Sequence, residues 1–134
     1  MPIRKTINVI TDTEADEEIL SRLKQGMDLL CGVKTTAQEV SWTRNFRRCV
    51  LPFSHAVWGY LRVEDSNVTL GCCGGTLSEY VVMMKDDRGA MHSIRLDREK
   101  NAKYILTCLE KANPDCRIGY TAENKAYFGI TEAK

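Results

Sequence analysis

The residues best suited to chemistry in this chain are six cysteines, two histidines and a group of three arginines. Cys72-Cys73-Gly74-Gly75 stands out first, since adjacent thiols can bind soft metals or react with oxidants. A thiol becomes reactive only when a cation, a metal or a helix N-terminus lowers its pKa, and none is visible beside this pair. The spacing predicts a strand end running into a glycine turn, with one cysteine facing in and one out. Cys31, Cys49 and Cys108 sit among apolar residues, where free cysteine behaves as a small hydrophobe. The sequence holds no C-x-x-C pair, and His55 and His92 are isolated, so neither a metal site nor a cofactor is expected. No export signal opens the chain, which suggests a cytoplasmic protein with free thiols. G-x-S-x-G, H-E-x-x-H, a P-loop and a helix-opening G-x-G-x-x-G are all missing, and no carboxylate pair stands out. The expectation is no enzyme; the alternative is a small cysteine-dependent redox or thiol-linked enzyme using Cys72-Cys73.

Arg44, Arg47 and Arg48 are the one local excess of charge. Residues 33–64 carry five basic and two acidic side chains, while the whole chain carries 19 and 18, for a net charge of +1. A nucleic-acid binder usually shows a domain-wide basic bias, so no nucleic acid is expected. The same balance gives little attraction to an anionic membrane, so the case for anionic lipid is weak. Three arginines near a strand edge discourage sheet-to-sheet aggregation and can also hold a carboxylate or phosphate through their forked donors. Trp58 and Tyr60, two apart on one strand, share a face. Facing out they would be a contact patch; facing in, the favoured reading, they are core. The candidate binding surface is therefore Arg44, Arg47, Arg48, Trp58 and Tyr60.

These residues need a frame, and 134 residues with 43% apolar content suffice for one domain spanning 1–134. No apolar run approaches a membrane span. Ala15, Ile19, Leu23, Met27 and Leu30 recur at helical spacing, and Gly32 is a natural stop, so a helix is expected over 14–31 with Thr13 as its cap. An N-terminal arm and this helix make up 1–32. Residues 33–96 alternate with a strand period. Val40, Trp42 and Phe46 come first, then Cys49 to Phe53, Ala56 to Val63 and Val68 to Cys73. Leu77 to Lys85 and Ala90 to Leu96 complete the set. Turns are expected at Asp65-Ser66-Asn67, Gly74-Gly75 and Asp86-Asp87-Arg88-Gly89. Residues 97–128 form a capping helix opened by Asp97 and ended by Asn113-Pro114, then a C-terminal segment in which Thr121 caps a last short helix.

Six or seven short strands with short connections argue an antiparallel meander. Its apolar side must be covered and its edges closed. A barrel plugged by Ile105 and Leu109 of the C-terminal helix meets both demands. The fold class expected is thus α+β, an antiparallel barrel with an extra N-terminal helix. Leu51-Pro52-Phe53-Ser54-His55-Ala56-Val57-Trp58-Gly59-Tyr60 resembles a recurring element of bacterial pleckstrin-homology-like (PH-like) proteins. The downstream hairpin, Ser93-Ile94-Arg95-Leu96, Asn113-Pro114-Asp115 and Ile118-Gly119-Tyr120-Thr121 are similar too. The resemblance covers about residues 35–128 and implies a PH-like barrel of unknown function. The functional expectation is a non-catalytic binding module for a protein or peptide, with a homo-oligomer built through the N-terminal helix or a strand edge as a further option.

Overall fold

Residues 6–44, 46–70 and 73–129 are described by a computed structural model, the side chains of 65–78 excepted. The chain is α+β, with two sheets and three helices among the described residues. The first sheet holds β1 (Thr6–Asn8), β2 (Thr13–Glu14), β3 (Met27–Asp28), β4 (Lys34–Thr35), β5 (Glu39–Arg44) and β6 (Arg47–Pro52), in the order β2-β1-β6-β5-β4-β3. The second holds β7 (Ala56–Leu70), β8 (Cys73–Asp86), β9 (Met91–Leu96) and β10 (Arg117–Ile118), in the order β10-β7-β8-β9. The helices are α1 (Glu17–Lys24), α2 (Glu99–Ala112) and α3 (Ala122–Tyr127).

One apolar core lies between the sheets. Val40, Trp42 and Leu51 enter it from the first sheet, and Val82, Met84, Ile94 and Leu96 from the second. Ala102, Ile105 and Leu109, spaced three and four apart, bring one face of α2 into the same core. The chain passes from β6 to β7 through the 3-10 turn Phe53–His55, and Leu51, Phe53 and Ala56 stay buried throughout the crossing. Asn113, at the end of α2, donates from Nδ2 to the carbonyls of Phe53 and Ala56, each at 2.9 Å. Gly59 is where the helix lies closest to β7. A Cβ there would stand 2.6 Å from Leu109 Cδ2 and 3.3 Å from Leu106 Cδ2. On the outer face of the first sheet, Ile19 and Leu23 of α1 and Ala15 just before it pack around Val50. Its Arg22 meets the fully buried Glu39 of β5 at 2.7 Å.

Several expectations are corrected. Among the described residues the sheets share no strand pairing, so the barrel is not closed. The chain changes sheets through a short turn instead of a strand that bends from one into the other. Nor is the arrangement antiparallel throughout, because β1 pairs parallel with β6 and β10 parallel with β7. The N-terminal helix covers Glu17–Lys24 only, capped by Asp16, whose Oδ1 accepts from Ile19 N at 2.9 Å. Met27 and Leu30 fit the helical stripe by spacing, yet both are about half exposed, and Met27 pairs in β3. Gly26 explains the change, since a Cβ there would stand 2.9 Å from the Thr35 carbonyl and the chain turns there into the β3–β4 pair. The turns expected at 65–67 and 74–75 lie inside the β7–β8 ribbon, with Asn67 opposite Thr76 and Thr69 opposite Gly74. Pairing continues to Leu70 opposite Cys73, so cross-strand pairing overrides the turn-prone composition. Phe46 leaves the strand alternation, because β5 ends at Arg44. Arg98, not Asp97, occupies the cap position of α2, without a side-chain cap bond.

If α2 closes the shared core, Leu109→Ala should lower unfolding stability in urea by about 2–5 kcal/mol. Leu106→Ala, at the half-buried flank, should cost clearly less. Equal effects at the two positions would contradict this packing.

Candidate functional site

The three arginines gather at the β5–β6 hairpin. Arg44 stands directly opposite Arg47, and Thr43 opposite Arg48. Between the strands, Phe46 takes a left-handed backbone with φ of 63° and is 81% exposed. A bulky side chain in that conformation is uncommon, because Cβ crowds the backbone. All three arginines are exposed. Among the described residues no carboxylate lies within ion-pair distance of any of them, whereas Arg22, Arg62 and Arg95 each have one. Like charges directly across an antiparallel pair repel, and an anion between Arg44 and Arg47 would relieve that repulsion. Cys49 lies beside them, but burial pushes its thiol up and outweighs the lowering by Arg44 and Arg47. That is opposite to the shift an attacking thiolate requires.

Trp58 and Tyr60 do not join this group. Trp58 is fully buried and Tyr60 nearly so, on the face of the second sheet turned away from α2. The C-terminal segment covers them. Trp58 Nε1 donates to the Gly119 carbonyl at 2.8 Å, and its ring stacks on Phe128 and Tyr120, with centroids 4.8 and 5.8 Å away. Thr121 Oγ1 accepts from Asn124 N to open α3, and Asn124 Nδ2 donates back to the Ile118 and Gly119 carbonyls. The Arg117 guanidinium lies 3.7 Å from the centre of the Tyr127 ring. With this segment in place neither aromatic residue can touch a partner.

A second feature has no signature in the sequence. A cleft of about 600 Å³ opens where β5 of one sheet approaches β9 of the other. Val33, Trp42 and Leu96, all buried, form its floor, and Arg44, Arg95 and Asp97 stand at its rim. Cys31 lines one side of it, carried by a turn of three successive left-handed residues, Leu30 to Gly32, at φ of 69°, 53° and 75°. Asn101 of α2 donates to the Leu29 carbonyl at 3.0 Å and anchors that turn. Trp42 is set by a buried chain of contacts. Its ring centre lies 5.7 Å from that of His92, and His92 Nε2 is 2.8 Å from Asp86 Oδ2. Asp86 Oδ1 also accepts from the backbone N–H groups of Arg88 and Ala90. Burial by itself raises the Asp86 carboxyl; the His92 and backbone hydrogen bonds outweigh it and hold the group below the usual carboxylate value. The cleft joins segments near residues 31, 43, 79 and 95, so no local motif announces it.

The remaining chemical candidates are scattered. His55 pairs with Asp87 at 2.8 Å on the outside of the 86–90 turn. Among the described residues no group of three metal-binding side chains is gathered at one place. Cys116 is pushed up to about 12 by burial. Cys72 and the side chain of Cys73 lie outside the described residues.

A carboxyl with a lowered folded pKa binds its proton less readily in the native state. Asp86 therefore stabilises the fold above about pH 4, the ordinary carboxylate value, and that contribution fades as pH falls through its own lower pKa. Asp86→Asn should cost about 1–3 kcal/mol at pH 7 in urea unfolding. The gap between variant and wild type should narrow as pH drops from 7 towards 3; a gap independent of pH would show that the charge plays no part. Compared with protein-family models, with curated proteins and with solved structures, the chain finds no match.

Proposed function

We propose that this protein is a non-catalytic binding module that takes an acidic segment of a partner protein on its β5–β6 hairpin. The supporting observation is the trio Arg44, Arg47 and Arg48, exposed and without a carboxylate among the described residues, around the exposed Phe46. Arginine suits carboxylates because its planar fork donates two parallel hydrogen bonds. An aromatic side chain beside such cations supplies the apolar anchor that interfaces favour. The charge is confined to one hairpin on a chain of net charge +1, which matches a short acidic segment better than the long stripe needed along a nucleic acid. A broad anionic membrane also attracts through many cations at once, and no described helix is long and apolar enough to cross one.

The frame is read as an open form of the PH-like layout. Support comes from α2, which buries Ile105 and Leu109 between the sheets. The stretches that carry the resemblance also meet in space, where Asn113 holds the Phe53–Ala56 turn and Gly119 receives the Trp58 indole. A cytoplasmic setting fits Cys31, Cys49, Cys108 and Cys116, which are all free thiols.

The test is fluorescence anisotropy with a labelled twelve-residue peptide rich in aspartate and glutamate and carrying one leucine. Vesicles containing phosphatidylserine and a short DNA duplex serve as rival ligands. The peptide should bind, and more weakly as salt rises. The combined Arg44→Ala, Arg47→Ala, Arg48→Ala variant should bind it at least about tenfold more weakly. Binding to vesicles or DNA in preference to the peptide, or an unaffected triple variant, overturns this reading.

A further inference from the structure

The rim of the inter-sheet cleft carries four charges, and two of them are already used. Arg95 lies 2.6 Å from Glu79 and 3.2 Å from Glu64, so this part of the rim is neutralised internally. Arg44 and Asp97 are different. Both line the cleft, both are exposed, and among the described residues neither side chain has an ion-pair or hydrogen-bond partner. The rim therefore offers one open cation and one open anion above an apolar floor of Val33, Trp42 and Leu96. The volume, about 600 Å³, falls among ligand sites of ordinary size.

The floor is also held in place before any ligand arrives. Trp42 is backed by His92 and Asp86, and the turn that carries Cys31 is anchored by Asn101 at the Leu29 carbonyl. Two non-glycine residues of the turn that carries Cys31 to the cleft, Leu30 and Cys31 itself, sit in the left-handed region. Such strain persists only where the surroundings over-determine it, and it gathers at ligand clamps. A fatty acid would use Arg44 and leave Asp97 facing an apolar chain. An amine would do the reverse. Only a ligand with both charges and an apolar body satisfies the whole rim.

We propose that this cleft binds a short zwitterionic ligand with apolar side chains, a small hydrophobic peptide, whose carboxylate meets Arg44 and whose ammonium meets Asp97. The site is separate from the hairpin tip, and only Arg44 is common to both. Binding involves no covalent step.

The probe is the tripeptide alanyl-leucyl-phenylalanine, titrated calorimetrically into the full chain. Its N-acetylated and C-amidated forms and decanoate are compared with it. The free peptide should bind, and each capped form should bind roughly tenfold or more weakly, as expected when one charged hydrogen bond is lost. Arg44→Ala and Asp97→Asn should each weaken binding by a similar factor, while Arg47→Ala/Arg48→Ala should leave it within about twofold. Alkylation followed by peptide mapping should show Cys31, which lines the cleft, protected by the peptide, and Cys108 unaffected. Equal binding of free and capped peptides, decanoate binding as tightly as the peptide, or no binding heat together with unprotected Cys31 each overturns the proposal. Asp97→Asn leaves acidic-segment binding at the hairpin untouched, so failure here and failure of the hairpin reading are told apart.

Discussion

The crossing from Leu51 to Ala56 constrains the rest of the molecule. The chain changes sheets there with Leu51, Phe53 and Ala56 buried, while Ser54 between them faces solvent. Carbonyls held beside buried residues need donors. Asn113 supplies them, giving its side-chain amide to Phe53 and Ala56 together. That bond fixes where α2 must end, and so where Ile105 and Leu109 enter the core. It also aims β7 so that Gly59 faces the helix, leaving Trp58 and Tyr60 on the opposite face. Two large aromatic side chains on that face require a cover, and the segment from Gly119 to Phe128 provides it.

Buried polar groups are answered with the same economy. Glu39 is fully buried and receives Arg22 and the Thr36 hydroxyl. Asp86 collects His92 and two backbone amides. Asn124 ties α3 to the strand it follows. Among the described residues no buried side-chain nitrogen or oxygen lacks a partner. The open charges at the hairpin and at the cleft rim are exposed instead. The interior is satisfied, and the surplus lies at the surface, where a ligand can reach it.

Much of this was legible in the sequence where the pattern was local. The alternation of Tyr80, Val82 and Met84 with Val81 and Met83 divides β8 between the α2 face and the aromatic face. Ala102, Ile105 and Leu109 mark the buried side of α2, Asn113 its end and Thr121 the cap of α3. Long-range pairing decided what was illegible. Met27 and Leu30 continue a helical period by spacing alone, and the turn at Gly26 sends them into another structure. Asn67 and Gly74 look like turn residues, yet each has a partner across the ribbon. The arginines announced themselves as a local excess of charge. The cleft did not, because it is assembled from four distant segments, and Asp97 looked like a helix cap until α2 began one residue later. Asn113 and Gly119, with the Phe53 turn and Trp58, act in this chain as contacts between the crossing, the last strand and the end of α2.

The account rests on two sheets sharing one core through α2. Native-state hydrogen exchange tests it most directly, by following the amides of Trp42 and Val50 in the first sheet and of Val82 and Met84 in the second. All four should open with one common free energy, and Leu109→Ala should lower all four by the same amount. Two separate opening energies, with only the second sheet weakened by the substitution, would show that the sheets stand as independent units and that the crossing does not bind them together.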